Sequence, residues 1–129
     1  AAEANRTYRA LRLQGRATLG NLSRTRLRVS PGTAVIAAYA VNELPPAVRA
    51  ELLARLLDAG GRGARLLIVE PIARRTAPWW GEWSRAFEHA GGRADDWRFP
   101  AALPEFQRRL ARAAGLDPSE LTARSLHKA

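Results

Sequence analysis

Polar residues follow apolar stretches of this sequence at positions where buried strands would end. Asn42 and Glu43 come directly after an apolar run of eight residues, and Glu70 follows a second, shorter run. An amide such as Asn42 can orient an attacking nitrogen or oxygen, and a carboxylate such as Glu43 can accept its proton. The pair Gly20–Asn21 ends a third, weaker candidate strand. Ligands in open α/β sheets bind beyond the carboxyl ends of the strands, so these strand ends predict one shared binding site.

Each of these polar residues also has an ordinary structural interpretation. Asn42 and Glu43 could cap the helix that follows them, and Glu70 could pair with a nearby arginine. For any single residue this interpretation is at least as well supported as a functional one. Several polar strand ends on one rim, taken together, favour a functional site.

Two buried strands and a helix must position these groups. Residues 34–41 are apolar without alternation, which is typical of a central parallel strand covered on both faces. Pro45 and Pro46 then begin a helix that runs to about Ala59. Residues 66–69 form the second strand. This order predicts a βαβ unit with a right-handed crossover.

The rest of the chain predicts further short elements. We expect helices over residues 3–13 and around residues 79–87 and 103–110, a short strand over residues 16–21, and an extended stretch over residues 96–100. Residues 121–127 alternate between apolar and polar, which predicts an antiparallel or edge strand. The aromatic residues of the helix around residues 79–87 are expected to pack in the core rather than to form a base-stacking surface. Because Trp79 and Trp80 are adjacent, we expect one of them to be exposed or to cover the rim of the candidate site.

Composition limits the classes of function. The 129 residues carry a net charge of +9, nearly all from arginine, with Lys128 as the single lysine. This charge permits phosphate binding, but an arginine-rich codon usage explains it equally well. Cysteine is absent, which excludes disulfides and thiolate metal sites, and two histidines make a histidine-based metal site improbable. No apolar run reaches the length of a membrane helix and no signal peptide is visible, so we expect a cytoplasmic protein without a membrane partner.

One segment of the chain resembles a known family. The sequence from Val35 to Leu44, the amphipathic helix after it and the stretch Leu67–Pro71 look like the fourth strand, fourth helix and fifth strand of class I (Rossmann-like) S-adenosylmethionine-dependent methyltransferases. In that family the fourth strand commonly ends in a polar residue, an acidic or small residue and leucine, and the fifth in Glu-Pro. The likeness extends roughly over residues 20–126. Within the superfamily, the chain is similar to methyltransferase-like proteins related to a mitochondrial small-ribosomal-subunit protein.

The resemblance implies a fold and an activity. The expected fold is α/β: a partial Rossmann-like methyltransferase sheet with mostly parallel central strands flanked by helices and its N-terminal strands missing. Residues 1–129 would form the C-terminal portion of a single methyltransferase-like domain. The expected activity is S-adenosylmethionine-dependent methyl transfer to RNA or a small molecule.

The resemblance also assigns roles to residues at the strand ends. Asn42 and Glu43 are the catalytic candidates, with Asn42 preferred for orienting the acceptor. The remaining assignments are cofactor binding by Gly20, Asn21, Tyr39 and Ala40, and a substrate rim of Glu70, Pro71 and Arg74, where Arg74 could contact a phosphate.

The sequence departs from the family pattern in ways that keep other functions open. Residues 1–129 contain neither the glycine-rich cofactor loop nor the acidic residue that holds the ribose hydroxyls, and they lack the cysteine cluster of the ribosome-associated relatives. A non-catalytic, methyltransferase-like module for RNA or ribosome binding is one alternative. A different doubly wound α/β domain with chance matches is another. An unpaired apolar strand at residues 35–41 would also favour self-association of residues 1–129.

Overall fold

A computed structural model describes residues 1–22, 24–25, 27–72, 77–117 and 119–129. Four helices and four strands lie within these ranges. The predicted order of strand, helix and strand after residue 33 is confirmed, whereas no strand forms over the described part of residues 16–21. In chain order, the elements are α1 (Ala2–Ala10), β1 (Ala34–Ala38), α2 (Pro46–Gly61), β2 (Arg65–Glu70), α3 (Trp80–His89), β3 (Arg93–Pro100), α4 (Glu105–Ala113) and β4 (Glu120–Lys128).

The four strands form one mixed sheet in the order β1-β2-β4-β3. β1 and β2 are parallel, with Ile36 opposite Leu67. β4 lies between β2 and β3 and is antiparallel to both. Because β3 is antiparallel to the reversed strand, it runs in the same direction as β1 and β2.

The expected partial Rossmann-like sheet with mostly parallel central strands is therefore wrong. Two of the three strand pairings are antiparallel, and the sheet is mixed. The alternation in residues 121–127 correctly indicated an antiparallel strand, but it did not reveal where that strand inserts. Leu126 is fully buried because it pairs with Ile68 on one side and Ala94 on the other, which places β4 in the interior of the sheet.

β1 also differs from the expected central strand. It occupies one edge of the sheet among the described residues, and Ile36 is 67% exposed. Val35 and Ala37, on the opposite face, pack against the core. The run of apolar residues predicted cover on both faces, but the described part of the chain supplies it on one.

α2 and α3 cover one face of the sheet. The core joins Leu56 of α2 and Phe87 of α3 to Leu66, Ile68 and Leu126 of the strands, and each of these side chains is at most 1% exposed. α1 and α4 contain no buried residue. Among the described residues, helices therefore pack on one face, and we call the other face, which carries Ile36, the open face.

Trp79, Trp80 and Trp83 belong to the core, as predicted, and both adjacent ones are buried. Trp79 is 7% exposed, Trp80 8% and Trp83 1%. Neither ring is exposed, but Trp79 lies against the rim, the other position expected for one of the pair, because its Nε1 donates to Asn42 Oδ1. The ring of Trp79 packs edge-on against Trp83, with centroids 4.9 Å apart.

The turn between α3 and β3 brings the backbone unusually close to β4. The Gly92 N–H donates to the Phe87 carbonyl at 2.8 Å. A Cβ at position 92 would lie 2.6 Å from the His127 carbonyl oxygen and 3.0 Å from that of Phe87. Only glycine fits this approach without a backbone shift.

Candidate functional site

Glu70 ties the ends of the two parallel strands together. Its Oε1 accepts hydrogen bonds from the backbone N–H of Val41 at 2.8 Å and of Asn42 at 3.3 Å. Glu70 and Val41 are fully buried. A buried carboxylate is unfavourable unless it is hydrogen-bonded, so these bonds both stabilise Glu70 and fix the loop that follows β1.

Asn42 is held in place through its side chain as well. The indole Nε1 of Trp79 donates to Oδ1 of Asn42 at 3.3 Å. The guanidinium of Arg49 lies over the same indole, 5.7 Å from the ring centroid. Asn42 is half-buried, and its Nδ2 has no hydrogen-bond partner in the part of the chain that the structure describes. This amide is therefore oriented and still able to bind a ligand.

Tyr39 projects from the same loop in an uncommon conformation. Its φ is 53°, in the left-handed region, and its side chain is 58% exposed. The Tyr39 N–H donates to the Val69 carbonyl at 2.8 Å, which prolongs the β1–β2 ladder to the rim. Such strain persists only where neighbouring contacts enforce it, and it clusters at functional sites.

The capping interpretation of Asn42 and Glu43 does not hold. α2 begins after Pro45 with no side-chain cap, so Asn42 and Glu43 do not cap it. Glu70 binds backbone N–H groups through Oε1, and its Oε2 has no hydrogen-bond partner among the described residues. Glu43 is exposed, Ala40 and Pro71 are half-buried beside the loop and β2, and Arg74 lies outside the described residues.

A row of charged residues crosses the sheet at the level of Glu70. In the strand register Glu70 lies opposite Arg124 of β4, and Arg124 lies opposite Asp96 of β3. Arg124 is 8% exposed, its Nε lies 3.3 Å from Asp96 Oδ1, and its guanidinium lies 4.8 Å from the Trp80 ring centroid. The aromatic ring and the carboxylate compensate for the burial of this charge.

Gly20 and Asn21 do not end a strand beside this rim. The Asn21 carbonyl accepts hydrogen bonds from the N–H groups of Arg24 and Thr25, so the segment forms a turn. Arg55 of α2 donates to the carbonyls of Leu22 and Thr25, which anchors the turn on the helix. The structure therefore brings Tyr39, Ala40, Asn42, Glu43, Glu70 and Pro71 to one rim and places Gly20 and Asn21 in a separate turn.

Sequence reasoning missed Arg124 as part of this site, and it placed Trp79 or Trp80 at the rim only as an alternative to exposure. A buried indole needs a hydrogen-bond acceptor, and this requirement could have directed attention from Trp79 to nearby polar residues. Arg124 gave no such signal, because the sequence offers no means to distinguish it from the exposed arginines.

No protein-family model matches the chain, and no curated protein matches it. Among the residues that the structure describes, no helix combines the length and apolar character needed to cross a membrane.

Proposed function

We propose that these residues form the acceptor side of an S-adenosylmethionine-dependent methyltransferase of the cytoplasm, acting on RNA or a small molecule. The observation that carries the proposal is the hydrogen bonding of Glu70 to Val41 and Asn42, which joins the carboxyl ends of two parallel strands. This junction presents an exposed Tyr39 and an oriented Asn42 on one rim. Ligand sites in α/β sheets favour this position.

The chemistry of the rim suits methyl transfer. Bound S-adenosylmethionine supplies an electrophilic methyl group, and the protein must position the acceptor in line with it and exclude water. Asn42 can donate from Nδ2 to the acceptor while Trp79 holds its Oδ1. Glu43, exposed and next in the chain, can accept the proton that the acceptor releases.

The described rim supplies part of the expected cofactor site. Tyr39 offers an aromatic face and Asn42 an amide, both suited to a planar or amine-bearing ligand. The acidic residue and glycine-rich loop that the resemblance implies for the cofactor do not occur in residues 1–129.

Calorimetric titration of the gene product that carries these residues with S-adenosylmethionine tests the proposal. We expect micromolar binding, and Tyr39→Ala should weaken it. Asn42→Ala should lower the rate of S-adenosylhomocysteine formation about 10²-fold, the lower range for loss of one polar catalytic group. Glu51→Ala, on the exposed side of α2, should change neither quantity. A folded gene product that binds no S-adenosylmethionine would rule out the methyltransferase.

The net charge of +9 favours a second candidate, a non-catalytic module that binds RNA or the ribosome. The same titration distinguishes the two. RNA binding that weakens steeply with salt, in a protein that does not bind S-adenosylmethionine, would support the binding module.

A further inference from the structure

Two exposed aromatic rings lie at the carboxyl end of β3. Trp97 is 37% exposed and Phe99 is 54% exposed. Their ring planes are parallel within 8°, and their centroids are 6.0 Å apart. Trp97 Nε1 donates to Ser125 Oγ at 2.8 Å, which fixes the indole. The rings therefore stack on each other, and their exposed parts form a surface that can accept a further planar ring.

This surface extends beyond the rim of the candidate site. β3 runs in the same direction as β1 and β2, and Asp96 is level with Glu70 through Arg124. Trp97 and Phe99 follow Asp96 in β3, so they lie further toward the carboxyl end of the sheet than Glu70. β3 is two strand spacings, or about 10 Å, from β2. Alternation along the strand places both rings on the open face of the sheet.

α4, the next helix after β3, carries positive charge. α4 carries Arg109 and Arg112, and neither has an ion pair among the described residues, whereas Arg108 pairs with Glu105. Ala111 of α4 and Leu121 line one cleft of about 270 Å³. Leu121 is the cross-strand partner of Phe99, so this cleft, which Asp117 and Glu120 also line, lies between α4 and the strand pair that carries the aromatic rings.

The one carboxylate of β3 on the same face is neutralised. Asp95 lies two residues before Trp97, and its Oδ2 is 3.0 Å from Nε of Arg93, which is exposed. The open face therefore offers aromatic rings without an unpaired negative charge on β3, and the cations lie on α4 across the cleft. This combination is complementary to a chain of planar bases joined by phosphates.

We propose that Trp97 and Phe99 stack a base of a single-stranded nucleic acid whose phosphates are bound by Arg109 and Arg112. Stacking on aromatic side chains together with a basic groove is the usual mode of such binding. The proposal names the acceptor class of the methyltransferase and to that extent rests on the proposed function, but the binding itself requires no methyl transfer.

Fluorescence anisotropy with labelled single-stranded RNA of about ten nucleotides tests the surface, and DNA of the same sequence distinguishes the two sources. We expect Phe99→Leu to weaken binding about tenfold. Phe99 is exposed and its ring forms no hydrogen bond, so this variant should fold, as circular dichroism will verify. Trp97→Leu should act similarly, and Tyr8→Leu, on α1, should bind like the parent.

The arginines are tested by the salt dependence of binding. Replacing Arg109 and Arg112 together by glutamine should reduce the slope of log K against log salt by about 1.4, as expected for two phosphate contacts to a single strand. The same charge change at Arg6 and Arg9 of α1 should leave the slope unchanged.

Binding that is insensitive to Phe99→Leu and Trp97→Leu would overturn the proposal. So would a dimer that Phe99→Leu dissociates, because a second copy would then cover the rings. Binding that depends on Phe99 without any affinity for S-adenosylmethionine would refute the methyltransferase alone. Affinity for S-adenosylmethionine with RNA binding independent of Phe99 would refute only the aromatic surface.

Discussion

Glu70 connects parts of the chain that lie far apart in sequence. Its carboxylate accepts hydrogen bonds from residues 28 and 29 positions earlier. Apolar runs that end in polar residues predicted that Asn42 and Glu70 share a rim. They could not predict that Glu70 acts as an acceptor for backbone N–H groups, because a bond from a side chain to a distant backbone leaves no pattern in the sequence.

Removing this carboxylate should destabilise the protein. Glu70→Ala leaves the buried Val41 N–H without its acceptor, so we expect the free energy of unfolding to fall by about 1–3 kcal/mol, measured by urea denaturation. Glu51→Ala, at an exposed position of α2, should change it by less than about 0.5 kcal/mol. Similar effects of the two substitutions would show that Glu70 does not hold the loop.

Asp117 should titrate below its ordinary range. The hydroxyl of Ser119 donates to its Oδ1 at 2.6 Å and the Ser119 N–H at 2.8 Å, and these bonds, the hydroxyl first, lower the pKa of Asp117. A pKa depressed by folding adds stability above the unfolded value of about 3.9, and that stability is lost as the pH falls through the folded pKa.

An NMR titration of the carboxyl carbon measures this pKa directly. Ser119→Ala should raise the pKa of Asp117 toward its ordinary value, because it removes the hydroxyl hydrogen bond, which lowers this pKa more than the backbone bond does. An Asp117 that titrates identically in both proteins would contradict the assignment.

At the scale of elements, local pattern identified β1 and β2 because each is a continuous apolar run with a clear end, and α2 because its apolar residues recur at helical spacing. It missed the position of β4 in the sheet, because strand order depends on long-range pairing. Gly91-Gly92 was visible as the end of α3. The close approach of Gly92 to His127 was not, because it arises only once β4 lies beside β3.

Two glycines of this region should respond oppositely to substitution by alanine. Gly92→Ala places a Cβ against the carbonyls of His127 and Phe87, so we expect a loss of about 1–3 kcal/mol in thermal or urea unfolding. Gly81, in α3, has open space around it, and Gly81→Ala should leave stability unchanged or raise it by up to about 1 kcal/mol. A tolerated Gly92→Ala would mean that the turn is looser than described.

At the scale of the whole molecule, the edge of β1 is unprotected among the described residues. Thr33 and Tyr39 direct backbone groups toward β2, so by alternation the N–H and C=O of Ala34, Ile36 and Ala38 point outward. The strand Ala34–Ala38 has no charge or proline, the features that natural proteins use to blunt such edges.

We therefore expect residues 1–129 to self-associate. Light scattering after size exclusion should give a mass above 14.1 kDa that rises with concentration. Ile36→Lys should reduce this association, because a charge on the strand opposes pairing. Leu19→Lys, at a residue that is 93% exposed and outside the sheet, is the matched control. A monomer at every concentration would contradict the prediction.

The interior position of β4 also determines when the sheet can be completed during synthesis. β2 and β3 leave the ribosome before β4 but have no pairing with each other, since β4 lies between them. The nascent chain can form the β1–α2–β2 unit early, but β3 then has no neighbour and one side of β2 stays unpaired. The sheet is completed only when β4 has been synthesised. Until then the unpaired edges of β2 and β3 are exposed, and a chaperone can bind them.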